Sequence, residues 1–123
     1  MKIISSDKSP KAVGPYSQAI ESNGMVFCSG QVGIDPMLGK LVKGIENQTR
    51  QAVKNLESVL MSAGLSLNNI VKTTIFLADI NDYRKVNEIY GSFFNENKPA
   101  RSTVQVAALP LGALVEIEAI AVK

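Results

Sequence analysis

The 123-residue sequence predicts an α+β fold in which one mixed β-sheet carries two helices packed on the same face. Three observations carry that reading. Two segments place apolar residues at three- and four-residue spacing, as amphipathic helices do. Around and between them lie runs that alternate at period two or are rich in β-branched residues, as strands are. The right-handed rule for strand–helix–strand crossovers then puts both helices on one side of the sheet.

Lys2–Ile4 reads as a short strand, and 10–15, punctuated by Gly14-Pro15, as a loop that leads into Tyr16. A hairpin follows, with strands over 17–22 and 25–29 joined by Asn23-Gly24, the favoured pair for a type I′ turn. Cys28 in its second strand reads as a small buried hydrophobe with an inert thiol, because no CxxC spacing or histidine activates it. Gly30, just beyond, permits either a bulge or close backbone approach to a ligand. The stretch 31–44 is a loop or irregular hairpin. The first helix spans roughly 46–63, with Ile45, Ala52, Val53, Leu56, Val59, Leu60 and Ala63 on one stripe and Gly64 ending it.

Residues 69–78 form a long strand through Ile70, Val71, Thr73, Thr74 and Ile75. Asn81 is the expected N-cap of a second helix over 82–94, with Tyr83, Val86, Ile89, Tyr90 and Phe93 turned inward as core. After a polar linker at 95–98, Pro99 delivers the chain into a final strand pair, 101–106 and 114–122, joined by the turn Leu109-Pro110-Leu111-Gly112.

Composition bounds the chemistry. The length suits one domain, and 46% hydrophobic with 20% charged residues is ordinary for a globular chain. A net charge of +2 with scattered lysines argues against a nucleic-acid or anionic-membrane partner. No apolar run approaches the roughly 18 residues of a membrane span. One cysteine and an N-terminus without signal-peptide architecture lead us to expect a cytoplasmic protein. Histidine is absent, which removes the commonest general base and transition-metal ligand and the Ser-His and Cys-His nucleophile pairs. Chemistry falls to carboxylates, arginine, tyrosine, hydroxyls, backbone and water, with neither metal nor cofactor expected.

The final strand pair holds the candidate residues. Arg101, Thr103 and Gln105 share one face of their strand. In the last strand Glu116 and Glu118 interrupt the otherwise apolar face of Leu114, Ile120 and Val122. Charges are rarely buried without a partner or a task. Two accounts stand: surface charges that blunt an edge strand, or an arginine fork for a carboxylate beside an acid–base glutamate.

The run P-A-R-S-x-V, then L-P, then A-L-V-E-I-E-A-I-A closely resembles the C-terminal signature of the Rid family, the reactive intermediate deaminases (YjgF, or liver perchloric-acid-soluble proteins). Gly14–Ile20 (GPYSQAI), Cys28–Gln31 (CSGQ) and Val86–Tyr90 (VNEIY) match at similar intervals, so the resemblance covers essentially the whole chain. It implies a chorismate-mutase-like fold, assembled as a homotrimer with active sites between subunits. It also implies hydrolysis of 2-imino acids, the reactive products of pyridoxal phosphate-dependent dehydratases, to 2-oxo acids and ammonia. By position, Arg101 would bind the substrate carboxylate with main-chain help from Thr103 and Gly30. Glu116 would orient or activate water, Tyr16 would close the cleft, Asn87 would lie nearby, and Glu118 would be structural. Many relatives carry cysteine at the position of Thr103 and a polar residue at that of Leu111. Two other functions remain open on the sequence: a non-catalytic module that grips small carboxylic acids, and the endoribonuclease activity ascribed to some family members.

Overall fold

The computed structural model describes residues 1–123, and its six-stranded sheet can be built up from the hairpin outward. Strands β2 (Ala19–Ser22) and β3 (Met25–Val32) are joined by Asn23 and Gly24 at φ 52° and 75°, the positive values a type I′ turn demands. β1 (Lys2–Ile4) pairs antiparallel outside β2. The chain then makes a two-stranded hairpin, β4 (Ile34–Asp35) and β5 (Lys40–Leu41), before helix α1 (Ile45–Ser62). At the end of α1 the Gly64 N–H donates to the Met61 carbonyl at 3.0 Å and the Leu65 N–H to the Leu60 carbonyl at 2.9 Å, with Gly64 at φ 75°. That is a Schellman stop, which needs a left-handed residue. β6 (Ile70–Leu77), helix α2 (Tyr83–Phe93), β7 (Ala100–Gln105) and β8 (Val115–Val122) complete the chain.

The strand order is β1-β2-β3-β8-β6-β7, with β6 and β7 parallel and the other pairs antiparallel. The mixed sheet with two helices on one face is therefore as expected. The final two strands, however, do not form a pair. β8 inserts between β3 and β6, and β7 is the far edge, because the β6–α2–β7 crossover lays β7 parallel against the outer side of β6. The connection after β7 then carries the chain back across β6.

Two further expectations change. Asn81 does not cap α2. The Asp79 carboxylate accepts the Asn81 N–H at 2.9 Å, and a 3-10 turn over Ile80–Asp82 precedes the helix. That earlier start is fixed from outside, by Gln105 Oε1 accepting the Ile80 N–H at 2.8 Å. Nor is Tyr83 a core residue. It is 42% exposed at the first turn of α2, while Phe94 joins Val86 and Tyr90 in the buried stripe.

The helix-facing side of the sheet presents Val26, Cys28, Ile75, Leu77, Val115, Ile117, Ala119 and Ala121 to Ala52, Val53, Leu56, Val59, Leu60 and Val86, all in one apolar cluster. Burial pushes the Cys28 thiol up to about 12, in keeping with an inert side chain. The other side has no covering layer, although it carries Phe27, Phe76, Val104 and Ile120. No helix is long and apolar enough to cross a membrane.

Among the polar groups in this core, Asn55 is fully satisfied. Asn55, on the apolar stripe of α1, is 1% exposed and donates from Nδ2 to the carbonyls of Val32 at 3.1 Å and Ile34 at 2.9 Å. Its main-chain carbonyl accepts the Ser9 hydroxyl at 2.7 Å. The side-chain amide thereby ties the end of β3 and the start of β4 to the helix, and the main chain of the same residue ties in the N-terminal loop. Asn55→Ala takes the amide donor from two part-buried carbonyls, at about 1–3 kcal/mol for each orphaned group. Urea unfolding should show a loss of about 3 kcal/mol with an unchanged denaturant slope; a loss below about 0.5 kcal/mol would mean water replaces the amide.

Candidate active site

The candidate residues fall into two groups, each positioned by strand register. On β7, Arg101 and Thr103 stand opposite Thr73 and Ile75 of β6, both buried under the helices. Their side chains therefore point to the helix side. The half-buried Arg101 guanidinium lies 5.1 Å from the ring centroid of Tyr90 and 5.6 Å from that of Tyr83. Its Nη2 donates to the Tyr83 hydroxyl at 3.0 Å. The Tyr90 hydroxyl shares a 2.8 Å hydrogen bond with Thr73 Oγ1. Burial pushes the Tyr90 phenol up, opposed by that hydrogen bond and by the Arg101 charge.

Asn87, half-buried, sits one turn after Tyr83 and one before Tyr90, on the same side of α2. Thr103 Oγ1 is buried with no hydrogen-bond partner. Since β7 is an edge strand, one row of its backbone groups is also unpaired. This group offers donors: a guanidinium, a hydroxyl, an amide and free main-chain N–H groups.

The second group lies on the uncovered side. Glu116 stands opposite Phe76, and Glu118 opposite Thr74. Beside Glu116 the β3–β8 register slips between Cys28 and Gln31, a bulge that contains Gly30. A Cβ on Gly30 would lie 2.8 Å from the Glu116 Cδ, so only glycine leaves room for this carboxylate in its present position. Burial pushes the Glu116 carboxyl up, and the neighbouring Glu118 charge adds to the shift. Tyr16 belongs to the same neighbourhood through the chain. Ser29 donates from its backbone N–H to the Gln18 carbonyl at 2.9 Å and from Oγ to the Ser17 carbonyl at 2.6 Å, which anchors the Tyr16 loop beside Gly30. The Tyr16 ring is 51% exposed.

Arg101 with Thr103 and Asn87, and Glu116 with Gly30 and Tyr16, are thus two candidate half-sites on opposite sides of one sheet. The expectation that the glutamates lie near an arginine on the adjoining strand is not met: β6 separates β7 from β8, and the register turns Arg101 and Glu116 to opposite faces. Tyr83 and Tyr90 were missed as partners of Arg101. Their seven-residue spacing marks one side of a helix, but only the β6–β7 pairing reveals that the arginine lies beneath it.

Two concavities border these groups. One of about 330 Å³ on the uncovered side takes in Phe27, Lys72, Thr74 and Glu118 but neither Arg101 nor Glu116. Another of about 250 Å³ includes Tyr16, Ser6, Lys11 and Gln18. Neither unites the half-sites. No three acidic or thiol side chains converge as metal ligands would.

Comparison with known proteins places the chain in a family. The 2-iminobutanoate/2-iminopropanoate deaminase of Mus musculus is 54% identical over 99% of this chain and 91% of its own length. The human protein of that name is 50% identical over 99% and 90%. Among solved structures, E. coli TdcF with bound serine superposes at a TM-score of 0.97 with 42% identity, covering 100% of this chain and 99% of that one. The family model described as endoribonuclease L-PSP matches residues 6–123. The chain therefore belongs to the L-PSP family, also known as the YjgF or Rid family.

Proposed function

We propose that this protein hydrolyses reactive 2-imino acids to 2-oxo acids and ammonia, in a homotrimer whose active sites lie between subunits. The observation that carries the reading is the pair of complementary half-sites, each lacking what the other supplies. The donor group can hold a carboxylate but has no base. The acceptor group has a base of raised basicity but no anchor. A second copy that apposes its β7 edge to the uncovered face near Glu116 would complete both, and would also cover Phe27, Phe76 and Val104. The deaminase names of the mouse and human relatives support the substrate class. TdcF with serine supports recognition of a small carboxylic acid.

In this mechanism the Arg101 fork takes the substrate carboxylate in two charge-assisted hydrogen bonds, supplemented by Thr103 and the Gly30 main chain. The protonated C=N carbon is already electrophilic, so catalysis needs little more than an oriented water. Glu116 takes a proton from that water as its oxygen bonds to C2, which gives a tetrahedral amino alcohol. The same carboxyl returns that proton to nitrogen, then takes the hydroxyl proton as the C–O double bond forms and the C–N bond breaks; ammonia leaves with that proton as ammonium, and the 2-oxo acid and the Glu116 carboxylate remain. Tyr16 and Asn87 line the cleft.

The test is ammonia release from freshly generated 2-iminobutanoate with protein at one hundredth of the substrate concentration or below. Many turnovers per chain are expected. Binding of 2-oxobutanoate without turnover would instead identify a carboxylate-binding module, and cleavage of RNA would favour the activity in the family description. Across a dilution series followed by light scattering, activity should fall as the trimer dissociates; a fully active monomer would rule out the shared site.

A further inference from the structure

The geometry points to Tyr83 and Tyr90 as positioning residues that hold the Arg101 guanidinium ready for the substrate carboxylate. The inference rests on the reading of Arg101 as carboxylate anchor. An arginine at a sheet edge is normally fixed by an acidic neighbour, which also neutralises it. Here the chain's one ion pair is Lys123 with Glu21, and Arg101 has no carboxylate partner. What holds it instead is neutral. The two tyrosines are two turns apart on α2, about 10 Å along the helix axis. The guanidinium lies between them, 5.6 Å from one ring and 5.1 Å from the other.

Ring faces attract a guanidinium through their quadrupole without cancelling its charge. The hydroxyl of Tyr83 accepts one Nη2 hydrogen, which leaves the other N–H groups for an anion. Tyr90 is in turn immobilised. Its hydroxyl bonds Thr73, the residue registered opposite Arg101, and its ring packs 4.5 Å from that of Phe94. The shelf is therefore tied to the strand that carries the arginine's neighbour. Pre-organisation of this kind lowers the ordering cost of binding and leaves the chemical step alone.

Tyr83 is the residue to test, because its exposure makes Tyr83→Phe and Tyr83→Leu safe for folding. In the full chain, Tyr83→Phe should weaken 2-oxobutanoate binding, read by calorimetry, about three- to tenfold. Tyr83→Leu, which also removes the ring, should weaken it about two- to fivefold more. KM for 2-iminobutanoate should rise in parallel while kcat stays within about twofold, a split that general loosening of the fold would not give. In the Arg101→Lys background, which has no Nη2, the Tyr83→Phe effect should shrink below about twofold. If Arg101→Lys binds 2-oxobutanoate normally, the anchor reading fails and this inference with it. If Arg101→Lys is impaired but the Tyr83 variants bind normally, or act equally in both backgrounds, the anchor stands and the positioning role is wrong.

Discussion

Glu116→Gln is expected to slow imine hydrolysis by about 100- to 10,000-fold, the range of a lost general base. The amide keeps the shape of the side chain and one acceptor but takes no proton at neutral pH. 2-Oxobutanoate should still bind, because Arg101 belongs to the other half-site and is untouched. The pH profile supplies a second check. As the proposed general base Glu116 would act as its carboxylate, and burial together with Glu118 holds its carboxyl above the ordinary glutamate range. The rate should fall as pH drops through that raised value, so the acid limb lies higher than for a free glutamate. Glu118→Gln removes the like charge and should shift the limb downward without abolishing turnover. Normal turnover by Glu116→Gln, with loss in Glu118→Gln, would transfer the catalytic role to Glu118.

The same shift has a consequence for stability. A carboxyl whose folded pKa exceeds its unfolded one favours the folded state when protonated and costs stability when ionised. The cost is absent below the unfolded pKa and develops as pH rises through the folded one. Glu116→Gln should thus unfold at a higher temperature than the parent at pH 7 and at the same temperature near pH 3. A catalytic group that destabilises its own fold in the working pH range is a common compromise between activity and stability.

How much of this was legible in the sequence depended on whether the signal was local. The Asn23-Gly24 turn, the Gly64 stop and the stripe on α1 are encoded by neighbouring residues, and they occur as expected. The position of β8 is not local. Nothing within 114–122 says that it enters between β3 and β6, and that insertion is what sends Glu116 and Arg101 to opposite faces. Asn81 failed as a cap because its competitor, Asp79, works with Gln105, more than twenty residues away. The candidate site residues themselves came from motif resemblance. Period-two alternation could list which side chains share a strand face, but only the register could say which face is covered by helices. Tyr83 and Tyr90 illustrate the limit, since helical spacing reads equally as core or as a shelf for a cation.

Arg101→Lys should lower kcat/KM for 2-iminobutanoate by about 10- to 150-fold, the equivalent of the ~1.5–3 kcal/mol carried by a hydrogen bond to a charged group. Lysine retains the positive charge, so a purely Coulombic role predicts little change. It cannot form the planar pair of parallel N–H bonds that a carboxylate accepts, and its ammonium is a compact, strongly hydrated point charge. The fold should tolerate the exchange, because Arg101 is half-buried on an edge strand and pairs with no acid whose charge would be orphaned. An unchanged unfolding midpoint would locate the loss in recognition. The decisive control uses an imine without a carboxylate. Its slow hydrolysis draws nothing from the fork, so the parent and Arg101→Lys should treat it alike, while the imino acid separates them. Equal losses on both imines would mean that Arg101 supports the site in general, and near-normal turnover of the imino acid would remove it from the mechanism.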